Sequence, residues 1–135
     1  MLFRLVVAGF LLAHGLIHAS FLAARPAATA GGPSWPFDLD RSWLLSPLGM
    51  RAEATRAVGM ALTAATIAGF ALAAVVALGI LPASLWTVGI GVGAVSSLAL
   101  LGLFYRPWLT LGVAIDLVLL WTAFITSWVP DGLGS

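Results

Sequence analysis

The 135-residue chain has no cysteine, which excludes disulfides, thiolate metal sites and cysteine nucleophiles. It has no lysine either, so every basic side chain is an arginine. Charge of both signs is scarce: 8% of the residues are charged, against about 25% in an ordinary soluble domain. A net charge of +1 leaves no electrostatic footprint for nucleic acid. What is abundant is apolar: 61% of the residues are hydrophobic, and the mean hydropathy is +1.10. A chain this short cannot enclose that much apolar surface in a water-soluble core. Its natural solvent is a bilayer.

Four apolar runs, at about 4–24, 56–81, 84–105 and 108–129, are each long enough to cross the hydrocarbon layer, a crossing of about 30 Å that takes roughly 20 helical residues. Between the second and third lies GILPAS, where Pro82 cannot continue a helix and Ser84 can cap the next. Between the third and fourth, YRPW makes another short connection. The expected fold is all-α: an integral membrane, four-transmembrane-helix antiparallel bundle, with residues 1–135 as one domain.

The first run partly fits a cleaved signal peptide, having a basic residue, an apolar stretch and small residues near FLAARPA. Two histidines inside the apolar stretch do not fit, and it is read as a retained helix. Residues 25–55 form a long interfacial loop that carries most of the charge and four of the seven prolines. Its first half reads as irregular chain. Its second half, DLDRSWLLSPLG, reads as one or two amphipathic turns opened by Asp38 or Asp40. Trp35, Phe37 and Trp43 suit the headgroup level. The segment is either a plain interfacial loop or a lid over a pocket between the helices, with Trp35, Asp38, Asp40, Arg41 and Trp43 as its lid residues. Arginine counting puts Arg25, Arg41, Arg51, Arg56 and Arg106 on one side and Arg4 on the other. The long loop is therefore expected to be cytoplasmic, with both termini outside.

Helices 2 and 3 read as packing surfaces without chemistry. Gly89, Gly93 and Ser97 on helix 3, and Gly69, Ala73 and Ala77 on helix 2, are spaced four apart and make smooth ridges. Thr63 and Thr66 can return their hydroxyls to the preceding turn.

Three side chains in the central spans can readily change charge: His14, His18 and Asp116. An ionised carboxylate at mid-bilayer costs at least about 2.5 to 3.5 kcal/mol, so such groups face the interior and find partners. The four-residue spacing of His14 and His18 puts both rings on one face of helix 1, with Leu11, Phe21 and Arg25. The matching face of helix 4 holds Gly112, Asp116, Leu120, Ala123 and Ser127. Measured from Arg25, His18 lies about 10 Å and His14 about 16 Å inward, while Asp116 lies about 15 Å inward from Arg106. If helices 1 and 4 touch, the three meet.

Three readings of that meeting are open. Asp116 can accept a hydrogen bond from one imidazole and simply lock helix 1 to helix 4. The cluster can be a protonatable site that binds a quinone or other small ligand, or relays protons. Or His14, His18 and Asp116 can ligate a metal ion. Haem is disfavoured, because two histidines one turn apart cannot sit on opposite faces of one porphyrin and the chain has no third. Ser20 lies roughly 160° around the helix from the ring two residues before it, so no Ser-His-Asp geometry follows.

The stretch RLVVAGFLLAHG, from Arg4 to Gly15, resembles the opening of DoxX-like small membrane proteins, in which an arginine and an apolar run lead to His-Gly. The resemblance covers about a tenth of the chain. It implies a four-helix bundle associated with membrane redox or quinone-linked systems. Two functions follow as expectations: a ligand-binding or proton-relaying protein of such a system, or a non-catalytic accessory or assembly subunit in which the polar trio is structural. The expected partners are the lipid bilayer and either further copies of the chain or a larger membrane complex, at the bacterial inner (plasma) membrane.

Overall fold

A computed structural model of the chain describes residues 1–23, 35 and 37–130. Within them the chain is all-helical: α1 (Leu2–Ile17), α2 (Ala52–Ala77), α3 (Trp86–Leu103) and α4 (Thr110–Leu120). Short 3-10 turns extend α1 through His18–Leu22 and precede α3 and α4, while a wide π turn, Trp121–Ile125, continues α4. With these extensions all four helices are long and apolar enough to cross a membrane. Arg25 and most of the expected irregular half-loop lie outside the described residues.

Packing runs in sequence order, α1 on α2, α2 on α3 and α3 on α4, with the α2–α3 interface the most extensive. The small-residue ridges explain its closeness. A Cβ at Gly69 would overlap the backbone nitrogen of Gly93, and one at Gly89 would come within 2.7 Å of the Ala73 nitrogen. The two backbones therefore touch almost directly, which trades large side chains for many dispersion contacts. Thr63 and Thr66 donate to the carbonyls of Gly59 and Leu62, both at 2.8 Å.

The helix ends are satisfied by groups the sequence does not announce. At the end of α2, Ile80 N–H reaches Val75 O and Gly79 N–H reaches Val76 O; with Gly79 at φ +77° this is a Schellman cap. Arg4 adds Nε–H to Ala77 O at 2.7 Å, so the first helix closes the second. Ser84 does not cap α3: it sits inside the 3-10 turn Ala83–Leu85, and Leu85 precedes the helix with no side-chain bond. Nor do Asp38 or Asp40 open the amphipathic turns. Ser42 does, its Oγ accepting from Leu44 N–H at 3.3 Å and Leu45 N–H at 3.1 Å, while Asp38 Oδ1 accepts from Asp40 N–H.

Candidate functional site

The site begins with a change of helix type. At His18 the α-helix tightens into a 3-10 turn, and the His18 backbone N–H turns to the Gly15 carbonyl. That leaves the His14 carbonyl to accept the His18 ring instead, Nδ1 to O at 3.0 Å. A carbonyl can only accept, so Nδ1 carries the proton and the neutral ring presents Nε2 as an acceptor. Ser97 Oγ–H fills it at 2.8 Å. Both nitrogens of the buried His18 are thereby satisfied, one by its own helix and one by α3.

His14 takes the other route. Its Nε2–H donates to Asp116 Oδ1 at 2.9 Å, joining α1 to α4 across 102 residues of chain. Asp116 is fully buried, and among the described residues its Oδ2 has no hydrogen-bond partner. Among the described residues His14 Nδ1 makes no hydrogen bond either. The His14 ring is held in place by aromatic neighbours: Phe10 stacks on it at 6.0 Å, and Phe70 of α2 meets it edge-on at 5.0 Å. Gly15 permits that last contact, because a Cβ there would lie 3.0 Å from Phe70 Cβ.

The trio is thus a chain of contacts and not a common centre. Asp116 pairs with His14, whereas His18, whose ring meets that of His14 edge-on at 5.4 Å, turns to Ser97. This corrects the expectation that both imidazoles face the acid. It also corrects the reading of α3 as free of chemistry: Ser97, one of the small residues of its ridge, is a hydrogen-bond donor at the site. A three-ligand metal site is not formed, since among the described residues no three His, Asp or Glu side chains are arranged to share an ion and the two ring nitrogens of His18 point to other partners. On α4, Asp116 and Ala123 are buried, but the expected face ends there. Ser127 lies past the π turn, exposed, at φ +51°.

Beside the pair is a cleft of about 150 Å³ between α1 and α4. His14, Ile17 and His18 form one wall, and Trp108, Gly112 and Ile115 the other. Phe37 of the long loop closes the end, its ring edge-on to Phe21 at 5.1 Å, and Trp35 packs on Phe37 at 5.4 Å. With both His18 nitrogens engaged, His14 is the polar side chain this cleft can offer a ligand. Phe37 holds the position expected of a lid residue. The five residues named for that role do not line the cleft: Trp35 stands behind Phe37, Asp40 faces Arg56 at 3.5 Å, Trp43 donates to Gly102 O at 2.7 Å, Arg41 lines a different pocket, and Asp38 braces the turn. Exposure is high on the outer rim, where Trp108 is 77% and Leu111 72% accessible, so the cleft opens sideways on an apolar surface. No family model, curated protein or solved structure matches the chain.

Proposed function

We propose that the chain is an integral membrane protein, an antiparallel four-helix bundle, whose α1–α4 cleft takes a small, mainly apolar ligand from the surrounding lipid and presents it to His14. The observation that carries this reading is the juxtaposition of the buried His14–Asp116 pair, with Asp116 Oδ2 unpartnered, and a cleft opening toward the apolar rim. An apolar cavity near 150 Å³ accommodates a benzene-sized ring. A single-ring quinone headgroup fits that size, with a tail left in the bilayer. Asp116 holds the His14 ring by Nε2, and Nδ1 is then free to accept a hydrogen bond from a hydroxyl, or to donate one to a carbonyl once the ring has taken up a second proton. A quinone-linked membrane redox role, as the DoxX-like opening of α1 implies, agrees with this chemistry. The arginine distribution favours a cytoplasmic long loop.

The test is a titration of the purified protein with a short-chain benzoquinone, read by quenching of the tryptophan fluorescence to which Trp108 contributes. Saturable binding is expected, and Ile17→Phe, which adds bulk at an exposed position of the cleft wall, should weaken it at least tenfold with the unfolding midpoint kept. Quenching that rises linearly with quinone, or equal affinity in the variant, would remove the ligand reading.

A second reading has its own observation. His18 is fully satisfied by α1 and α3, and His14–Asp116 closes the gap between α1 and α4. In an accessory or assembly subunit this network would serve only to fix helix packing. Asp116→Asn separates the two: reduced stability with nothing else lost supports the structural role, and lost quinone binding in a folded protein supports the ligand role.

A further inference from the structure

At the loop end of the bundle a second, independent feature stands apart from the cleft. Arg41 from the long loop and Arg106 from the α3–α4 connection line one open pocket of about 530 Å³, with Trp43, Ser46 and Pro47. Sixty-five positions separate the two arginines in sequence, 106 less 41. They are brought together because the loop is fastened to the end of α3: Trp43 Nε1–H donates to Gly102 O and Ser42 Oγ–H to Leu103 O. Those carbonyls belong to the last turn of α3 and would otherwise lack partners.

The other arginines of the described residues are engaged. Arg4 binds the Ala77 carbonyl, Arg51 faces Glu53 and Arg56 faces Asp40. Arg41 and Arg106 make no hydrogen bond or ion pair among the described residues. Two guanidinium groups that line one pocket, neither engaged by an acid among the described residues, offer an anion two cationic partners at once. Guanidinium forks match the oxygens of a phosphate. The pocket also sits at the loop end of apolar helices, with the exposed indole of Trp43 in its wall, and indoles favour the depth at which lipid headgroups lie. Its remaining wall is Ser42, Ser46, Pro47 and the ring of Trp43, of which the proline and the indole offer apolar surface suited to the glycerol and upper acyl carbons of a lipid.

We infer that Arg41 and Arg106 clamp the phosphate of an anionic phospholipid headgroup. The inference rests on the membrane-spanning reading above but is independent of any ligand in the α1–α4 cleft. Basic pockets at the cytoplasmic ends of membrane helices bind anionic headgroups in this way, and on that side the clamp would fix the depth of the loop that carries Phe37.

Native mass spectrometry of the detergent-solubilised protein, titrated separately with phosphatidylglycerol, phosphatidylcholine and inorganic phosphate, tests it. Phosphatidylglycerol should be retained in clear excess over phosphatidylcholine, and millimolar phosphate should not displace it. Arg41→Gln and Arg106→Gln should each lower that excess about fivefold, and the double variant should remove it. Arg51→Gln, an exposed arginine outside the pocket, should leave it unchanged. Equal retention of the two lipids, displacement by free phosphate, single variants that both behave as the native chain, or an equal loss in Arg51→Gln would each overturn the clamp. Retention of neither lipid would overturn the clamp alone, and recovery of the protein in the aqueous fraction without detergent would overturn it together with the membrane reading, which separates the two failures.

Discussion

At the scale of single residues, the site is decided by which nitrogen finds which oxygen. His14 and Asp116 could be matched from the sequence, because their depths from Arg25 and Arg106 agree within about one residue's rise and a mid-span carboxylate must find a partner. Ser97 could not. It stands in a glycine ridge whose spacing has a complete packing explanation, and its role depends on the 3-10 tightening at His18 that aims Nε2 toward α3. Its removal is therefore informative. Ser97→Ala leaves the Nε2 acceptor of His18 buried without a donor, at a cost of about 0.5 to 2 kcal/mol. Ser96→Ala, one residue around the helix and partly exposed, should change stability by less than about 0.5 kcal/mol. Unfolding by a denaturing detergent, measured on both variants, compares them directly. Equal midpoints would mean that His18 finds another donor when Ser97 is lost.

At the scale of elements, the long apolar runs made the number and order of the helices readable, and the four-residue spacing of small side chains made the α2–α3 contact readable. Helix ends were not. Hydropathy carries no information about which carbonyl Arg4 will cap, and a serine beside a proline has the composition of a cap without its geometry, as Ser84 shows. Phe37 was hidden for a related reason: its loop has no period to fix which side chain turns inward. The ridge gives the sharpest contrast. Gly69→Ala must separate two backbones, and overpacking of this kind costs about 1 to 3 kcal/mol. Gly9→Ala on α1 meets nothing within 4 Å and should stabilise the helix by about 0.5 to 1 kcal/mol, the ordinary gain of alanine over glycine. The same detergent unfolding reads both, and opposite signs are the expected result. A destabilised Gly9→Ala would show that this face of α1 is covered by something outside the chain.

At the scale of the whole molecule, the four helices do not enclose their polar pair equally. α1 and α4 are joined by the His14–Asp116 bond with the cleft beside it, while α2 and α3 form the dense half of the bundle. A rigid half and a half with a gap is an arrangement in which a ligand can enter without unpacking the core, since tightly packed interiors resist small displacements. Which end of the gap faces the cytoplasm then decides whether Phe37 and the two unpaired arginines meet the cell interior. The absence of cysteine makes this directly measurable. Leu48→Cys in the long loop and Ser84→Cys at the opposite end are both exposed positions, each the sole thiol of its variant. With the excess of arginine on the loop side, a membrane-impermeant maleimide applied to intact spheroplasts should label Ser84→Cys and spare Leu48→Cys until the membrane is permeabilised. The reverse pattern would place the loop outside, and would turn the Arg41–Arg106 pocket toward the outer leaflet while leaving the His14–Asp116 geometry untouched. Labelling of both thiols in intact cells would remove the premise that the bundle spans the bilayer, because the two ends of a spanning helix cannot face the same water.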